Sequence, residues 1–347
     1  MLFSSYVKFN CSAAQGALHR ADADGNGEIV TLTFDNSSRS GIGPYAPHFS
    51  SWSPDGERIA VTKGGEFGIG TILVGSFSGE APDGIALGAP LYVNWSPDAR
   101  SLLVHQESGL HIVPIDGVIS GAAKTVGVSS MAFSSASWAP DSQSFTHVET
   151  ISGNLAVVIT KTSDVDTHQI ISEGDSLVRV GWSPDGRQIA IAKSSGGLFH
   201  TLSIYDIAEG VERTIHEGPL NAFWWSPDSS KLAIVEEASE IEFTHNWSVH
   251  DVDYGNVNLL ATYFASDQFL FVQSFFDQYV ESHNIWSPDR LKIVISGLLL
   301  DLEEVINSDG VLVLPPEFDS QIWVLDVSGN ADPVSVGRGT LATWSAQ

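Results

Sequence analysis

The sequence predicts an all-β fold, a seven-bladed β-propeller of four-stranded antiparallel blades. Three observations predict it. First, Trp52-Ser53-Pro54-Asp55-Gly56 recurs as Trp95-Ser96-Pro97-Asp98-Ala99, Trp138-Ala139-Pro140-Asp141-Ser142, Trp182-Ser183-Pro184-Asp185-Gly186, Trp225-Ser226-Pro227-Asp228-Ser229 and Trp286-Ser287-Pro288-Asp289-Arg290, with a last Trp344-Ser345 at the end of the chain. Second, the tryptophans are spaced 43, 43, 44, 43, 61 and 58 residues apart. Third, each copy lies between two short apolar runs. Four short strands per roughly 40–45 residues mark a propeller blade. A lone blade cannot bury both of its faces, so blades stack on one another.

The local chemistry of one copy accounts for its elements. Leu91–Trp95 reads as a strand, Ser96–Ala99 as a turn, and Ser101–His105 as a second strand. Proline pre-sets φ for a type I turn, and Ser and Asp can bond the turn's own backbone. The next residue, often Gly, accepts the left-handed conformation of a bulged hairpin. A third strand follows, as in Leu202–Ile207 or Ile322–Val327, and a fourth, as in Val211–Ile215, closes the unit. A buried aromatic removes about 150–250 Å² from water, roughly 4–6 kcal/mol gross, so one Trp per blade is a repeated filler for the seams between blades.

Repeats of this form resemble the WD40-like PD40 repeats of TolB-type propellers, and the same repeat builds the propellers of prolyl-oligopeptidase-like enzymes. The resemblance covers nearly the whole chain. It implies the fold and no single role, because propellers host many functions.

The chain is expected to be a single propeller domain over 1–347: six blades over 41–337, and one composite blade from 1–40 and 338–347. Leu2–Val7, Ala17–Asp22 and Glu28–Thr33 read as the second, third and fourth strands of that blade, and Thr340–Trp344 as its first. Sharing one blade between the two ends would close the ring and remove exposed sheet edges. Within the N-terminal part, Asp22, Asp24 and Asn26 with Gly27 resemble the start of an EF-hand-type calcium loop. The twelfth position is Thr33 where that loop needs Glu, so a polar turn and a weak calcium site both remain open. No other metal or cofactor is expected.

The residues in front of each Trp form the innermost strands and line the channel. Three before each Trp stand Phe49, Tyr92, Ser135, Arg179, Ala222, His283 and Leu341. The candidates to bind a ligand there are His48, Tyr92, Arg179 and His283. The row holds no set of carboxylates or histidines suited to a catalytic metal.

The two long steps are the informative departures. Between Trp225 and Trp286 about 18 residues are extra, at about 264–278; between Trp286 and Trp344 about 15, around 299–321. Ser266 is a candidate N-cap, and Phe269, Val272, Phe276 and Tyr279 fall on one helical face. Strand order places both insertions on the same face of the disc. Long loops in compact domains carry function, and aromatic residues beside acids suit a partner. Phe269, Phe271, Phe275, Phe276, Tyr279, Glu303 and Glu304 are therefore the candidate partner-binding residues. The alternative is that the helix plugs the channel mouth and buries its own aromatics, and the two roles are compatible.

Composition sets bounds. The 347 residues carry 16 Lys+Arg against 42 Asp+Glu, net −26, which disfavours nucleic acid and anionic membrane as partners. Such a charge suits either a solvated surface or a basic partner, cations or a salty habitat. No apolar run reaches membrane-spanning length. The start lacks a signal-peptide pattern and Cys11 is alone, which fits a cytoplasmic protein, and equally a periplasmic or secreted one whose leader has been removed. There is no G-x-S-x-G elbow, H-E-x-x-H or P-loop. The sequence thus favours a non-catalytic scaffold for a protein or peptide, alone or as one module of a larger assembly. The rival is a channel-binding small-ligand or calcium-dependent propeller enzyme.

Overall fold

The computed structural model describes residues 17–20, 30–34, 47–63, 70–76, 83–88, 91–107, 109–115, 124–128, 136–174, 177–195, 198–238, 243–300 and 320–344. The chain forms two compact units, Met1–Asp175 and Ser176–Gln347.

Among its described residues, the first unit holds a two-stranded pair, β1 (Ala17–Arg20) with β2 (Val30–Phe34), and three four-stranded antiparallel sheets. These are β3 (Pro47–Trp52), β4 (Arg58–Lys63), β5 (Gly70–Ser76), β6 (Asp83–Gly88); β7 (Leu91–Trp95), β8 (Ser101–Gln106), β9 (Gly109–Pro114), β10 (Lys124–Val128); and β11 (Ser137–Trp138), β12 (Ser144–Ile151), β13 (Asn154–Lys161), β14 (Asp164–Gly174). Each sheet pairs strands in chain order, as a meander does, and each is one blade.

The second unit is one continuous antiparallel sheet of ten strands. They are β15 (Val178–Trp182), β16 (Gln188–Ser195), β17 (Leu198–Asp206), β18 (Val211–Trp225), β19 (Lys231–Glu237), β20 (His245–Asp251), β21 (Val257–Ala265), β22 (Lys292–Leu299), β23 (Gln321–Asp326) and β24 (Val334–Arg338). Continuity arises because long strands serve two blades. In β18, Val211–Glu217 pair with β17 and Leu220–Trp225 with β19. In β21, Val257–Tyr263 pair with β20 and Tyr263–Ala265 with β22.

The Trp-Ser-Pro-Asp turns form as their chemistry requires. The Ser53 hydroxyl donates to the Asp55 carboxylate and accepts from the Arg58 N–H at 2.9 Å. The residue after Asp takes a positive φ in all six copies: Gly56 71°, Ala99 59°, Ser142 59°, Gly186 72°, Ser229 63°, Arg290 60°. Where serine stands there it also ties blades together. Ser142 Oγ accepts the Asp98 N–H, and Ser229 Oγ the Asp185 N–H, each at 3.0 Å.

The tryptophans fill seams and carry a directional bond as well. Trp95 Nε1 donates to Ser51 O at 3.1 Å, Trp138 to Asn94 O at 3.2 Å, Trp225 to Gly181 O at 3.0 Å and Trp286 to Trp224 O at 3.1 Å. Each acceptor is the carbonyl just before the preceding blade's own Trp. In these four, burial satisfies the one polar atom of the indole; Trp182 Nε1 is buried without such a bond.

Two expectations are corrected. Residues 341–344 carry no strand; the Trp344 N–H donates to Asn284 O at 2.8 Å, and Thr340 bonds the helical insertion described below. The expected composite blade would have paired this stretch with Leu2–Val7, which lie outside the described residues. His283, placed on an innermost strand by its spacing, is not in a strand. The first strand of that blade comes in two pieces. Tyr263–Ala265 pair with the far end of β22, while Trp286 bridges to Ile293 and Ile285 O accepts from the Val294 N–H. The insertion leaves the sheet between the two pieces.

Candidate functional site

The insertion begins with a capped helix. Ser266 is extended, and its Oγ accepts the Phe269 N–H at 3.2 Å, starting α1 (Asp267–Ser274). The same hydroxyl donates to Thr340 O at 2.5 Å, and Thr340 Oγ1 to Gln268 Oε1 at 2.6 Å, so the C-terminal segment is strapped to the helix start. Phe275 leaves helical geometry (φ −122°, ψ 35°), and a single further turn follows, α2 (Phe276–Tyr279).

One face of this pair is core. Phe269, Val272, Gln273, Phe276, Asp277 and Tyr279 are buried. Phe269 packs on Trp224 and Trp247, with ring centroids 6.3 and 5.8 Å away, and Phe276 meets Phe223 edge-on at 4.9 Å. Gln273 Nε2 donates to the Tyr263 hydroxyl, and burial raises the pKa of that phenol. These contacts correct the reading of Phe269, Phe276 and Tyr279 as partner-binding residues. Helical spacing puts them on a common face, and that face turns inward onto the tryptophans of β18 and β20.

The opposite face looks out. Leu270 and Phe271 are exposed, Phe271 by 50%, and Phe275 is half-buried. The Phe271 ring lies 5.0 Å from Phe275 and 5.9 Å from Tyr279, so a small aromatic cluster stands at the surface.

Arg179 anchors the insertion to β15. Its Nη1 donates to Asp277 Oδ1 at 2.9 Å and to Ser274 O at 3.4 Å, and its guanidinium lies over Phe199 (4.9 Å) and Phe276 (5.2 Å). The Asp277 side chain is 2% exposed and that of Arg179 16%. A carboxylate this deep needs a fixed cation, and Arg179 supplies it. Arg179 is thus engaged by the insertion and is not a bare channel-lining group.

The other sequence candidates are placed as follows. Tyr92 is buried, and Asn94 Nδ2 reaches its hydroxyl at 3.4 Å. His283 packs edge-on against Tyr279 at 4.9 Å, with Ser282 Oγ 2.8 Å from Nδ1; burial pushes its pKa down to about 4, so it is neutral near pH 7. The side chain of His48 lies outside the described residues, as do Glu303, Glu304, Asp22, Asp24 and Asn26. Among the described residues no three His, Cys, Asp or Glu side chains converge as a metal site, and no helix is long and apolar enough to cross a membrane. A cavity of about 220 Å³ lies at the opposite end of the strands, lined by Leu260, Asp326, Asn330 and Asp332 among others.

Sequence reading missed Asp277 and Phe243. Asp277 had one signal, a carboxylate next to Phe276 on an otherwise apolar helical face. Phe243, just before β20, is 83% exposed at φ 64°. It lies at the same end of the strands as the insertion, because Glu237 pairs with His245, His245 with Tyr263, and Tyr263 with Leu299.

No protein-family model matches the chain, and no curated protein matches it by sequence. Its fold is similar to several solved structures. An oligogalacturonate lyase in complex with manganese aligns at TM-score 0.60 and 13% identity, over 95% of this chain and 86% of that one. The oligogalacturonate lyase of Vibrio parahaemolyticus aligns at 0.57 and 11%, over 84% and 77%. TolB from Acinetobacter baumannii aligns at 0.48 and 14%, over 97% and 79%. At such identities the likeness is one of fold. With its Trp-Ser-Pro-Asp turns and antiparallel meanders, the chain has a β-propeller fold, similar to that of these lyases.

Proposed function

We propose that this protein is a non-catalytic propeller scaffold that binds a protein or peptide partner. The partner docks at the end of the strands that carries the 264–278 and 299–321 insertions. One observation supports this above the others: α1 is anchored by a fully packed inner face, yet presents Leu270, Phe271 and Phe275 outward. A helix needed only as a plug gains nothing from aromatics on its solvent side, and clustered exposed aromatics are the residues that carry binding energy at interfaces. The Arg179–Asp277 anchor keeps the surface preorganised, which lowers the entropic cost of docking.

The test is affinity capture with cross-linking from the cells that make the protein, comparing the native chain with a Phe271→Ala/Phe275→Ala variant of unchanged circular dichroism. The variant is expected to lose at least one protein that the native chain retains. Recovery of an identical set by both would overturn the reading.

A further inference from the structure

We infer that the seam between two neighbouring blades of the second unit is a proton-operated joint: protonation of His250 beside His216 opens it and releases the insertion from Arg179. The joint acts whether or not the surface around Phe271 is an interface.

Register builds the seam. Phe223 pairs with Ile234 and Ile234 with Ser248, so Phe223, Ser248 and His250 share one face of the blade Leu220–Ala265. The preceding blade meets that face. The Trp225 indole bonds Gly181 O of β15, a Cβ on Gly181 would stand 3.2 Å from the Phe223 ring, and His216 of β18 is edge-on to His250 with ring centroids 5.5 Å apart. At the turn end of the seam Arg213 Nη2 donates to Val252 O at 2.5 Å. At the other end the insertion bridges the two blades. It leaves the sheet where β21 pairs with β22, packs Phe276 on Phe223, and is held through Asp277 by Arg179 of β15. Opening the seam therefore draws Arg179 away from Asp277.

The two histidines differ in what receives a positive charge. Glu236 of β19 stands 3.7 Å from His216 Nε2, so a charge there has a counter-ion. His250 has the Ser248 hydroxyl at 3.0 Å and the His216 ring. The other charges on these strands are engaged elsewhere. Lys231 bonds Asp251 at 3.0 Å, Lys193 bonds Glu212 at 2.8 Å, and Glu217 is exposed. His245, paired across from Glu237, lies on the opposite face of the blade against Tyr263. A proton on His250 thus places an unmatched charge in a buried seam, and both burial and the neighbouring imidazole oppose it. Water solvates both rings once the seam opens, so acid favours the open form.

The test is hydrogen–deuterium exchange with mass spectrometry on the full chain at pH 7 and pH 5, each rate divided by the intrinsic rate at that pH. His250 takes its proton near 4 in the closed seam and near 6.5 when solvated, so the opening constant is expected to rise about twentyfold between the two. The rise is expected in peptides from Val211–Trp225, His245–Asp251 and Asp267–Tyr279, while Lys292–Ile295 and Gln321–Asp326 keep their protection. His250→Gln should abolish it in all three. His216→Gln, which leaves His250 in place, should reduce it. His283 is also buried, against Tyr279, so His283→Gln is the control and should leave the rise intact. An equal rise in β22 and β23 would mean global unfolding and overturn the inference. So would a seam response that survives in His250→Gln or stays undiminished in His216→Gln. An insertion response that follows His283 instead of His250 overturns the link to Arg179.

Discussion

Gly297 and Phe264 lie so close that a Cβ on the glycine would stand 2.0 Å from the phenylalanine carbonyl oxygen. The glycine also sits at φ +155°, where side chains are rarely accommodated. This is where β21 hands over to β22 at the root of the insertion. Gly297→Ala must therefore push the two strands apart. We expect it to lower stability by about 2 kcal/mol or more, within the range of strained backbone changes, and to expose Trp224 and Trp247 as the insertion loosens. Urea unfolding followed by tryptophan fluorescence checks both.

Arg179→Ala should be more harmful than removing the pair. It removes the cation from the buried Asp277 carboxylate, a loss of about 3–5 kcal/mol for a buried pair. Arg179→Met/Asp277→Leu keeps the volume apolar and should recover most of that stability. A double-mutant cycle in denaturant with Arg179→Met, Asp277→Leu and the double variant measures the coupling; a double-variant loss equal to the sum of the two single losses would show that the pair is not coupled.

Stability should fall on acidification from pH 6.5 towards 4. Burial pushes the pKa of His147, His250 and His283 down to about 4 each, with His168 and His105 adding repulsion at His147 and His216 at His250. His147 faces Glu149 at 3.5 Å and Thr160, and Glu149 also meets His168 at 3.4 Å. His250 faces Ser248 and the His216 ring, which in turn meets Glu236 at 3.7 Å. The unfolded chain takes up these protons near pH 6.5 and the folded one only near 4. The neutral-histidine contribution is therefore complete above 6.5 and is lost as pH falls through that window, by up to about 1.4 kcal/mol per histidine and pH unit. His147→Gln should move the acid-unfolding midpoint to lower pH.

Trp95→Phe should cost about 1–3 kcal/mol. It keeps an aromatic filler but leaves the buried Ser51 carbonyl without its donor. A thermal melt measures the loss, and Trp225→Phe should lose a similar amount through Gly181.

What was legible in the sequence was whatever repeats or acts locally. The six turns, the Ser266 cap and the shared face of Phe269, Val272, Phe276 and Tyr279 each depend on residues a few positions apart. What was not legible depends on long-range pairing. Helical spacing says which residues share a face and not which way that face looks, so three buried rings read as binding residues. The Arg179–Asp277 contact joins residues 98 positions apart. The split first strand, which displaced His283, follows from where β21 runs on past its own blade. The terminal Thr340–Trp344 segment reads as a strand by analogy with its sister motifs, yet its polar groups are taken up by Asn284, Ser266 and Gln268.

The indole-to-carbonyl bonds bear on how such a chain changes length over generations. Among the described residues, four repeats bring an indole donor for the carbonyl of their predecessor, while Trp182 does not, so duplicating or losing a whole repeat of the bonded kind keeps donor and acceptor matched. Cutting within a repeat orphans one or the other. Growth by whole modules, with novelty confined to loops such as the one after Ala265, is the route this wiring leaves open.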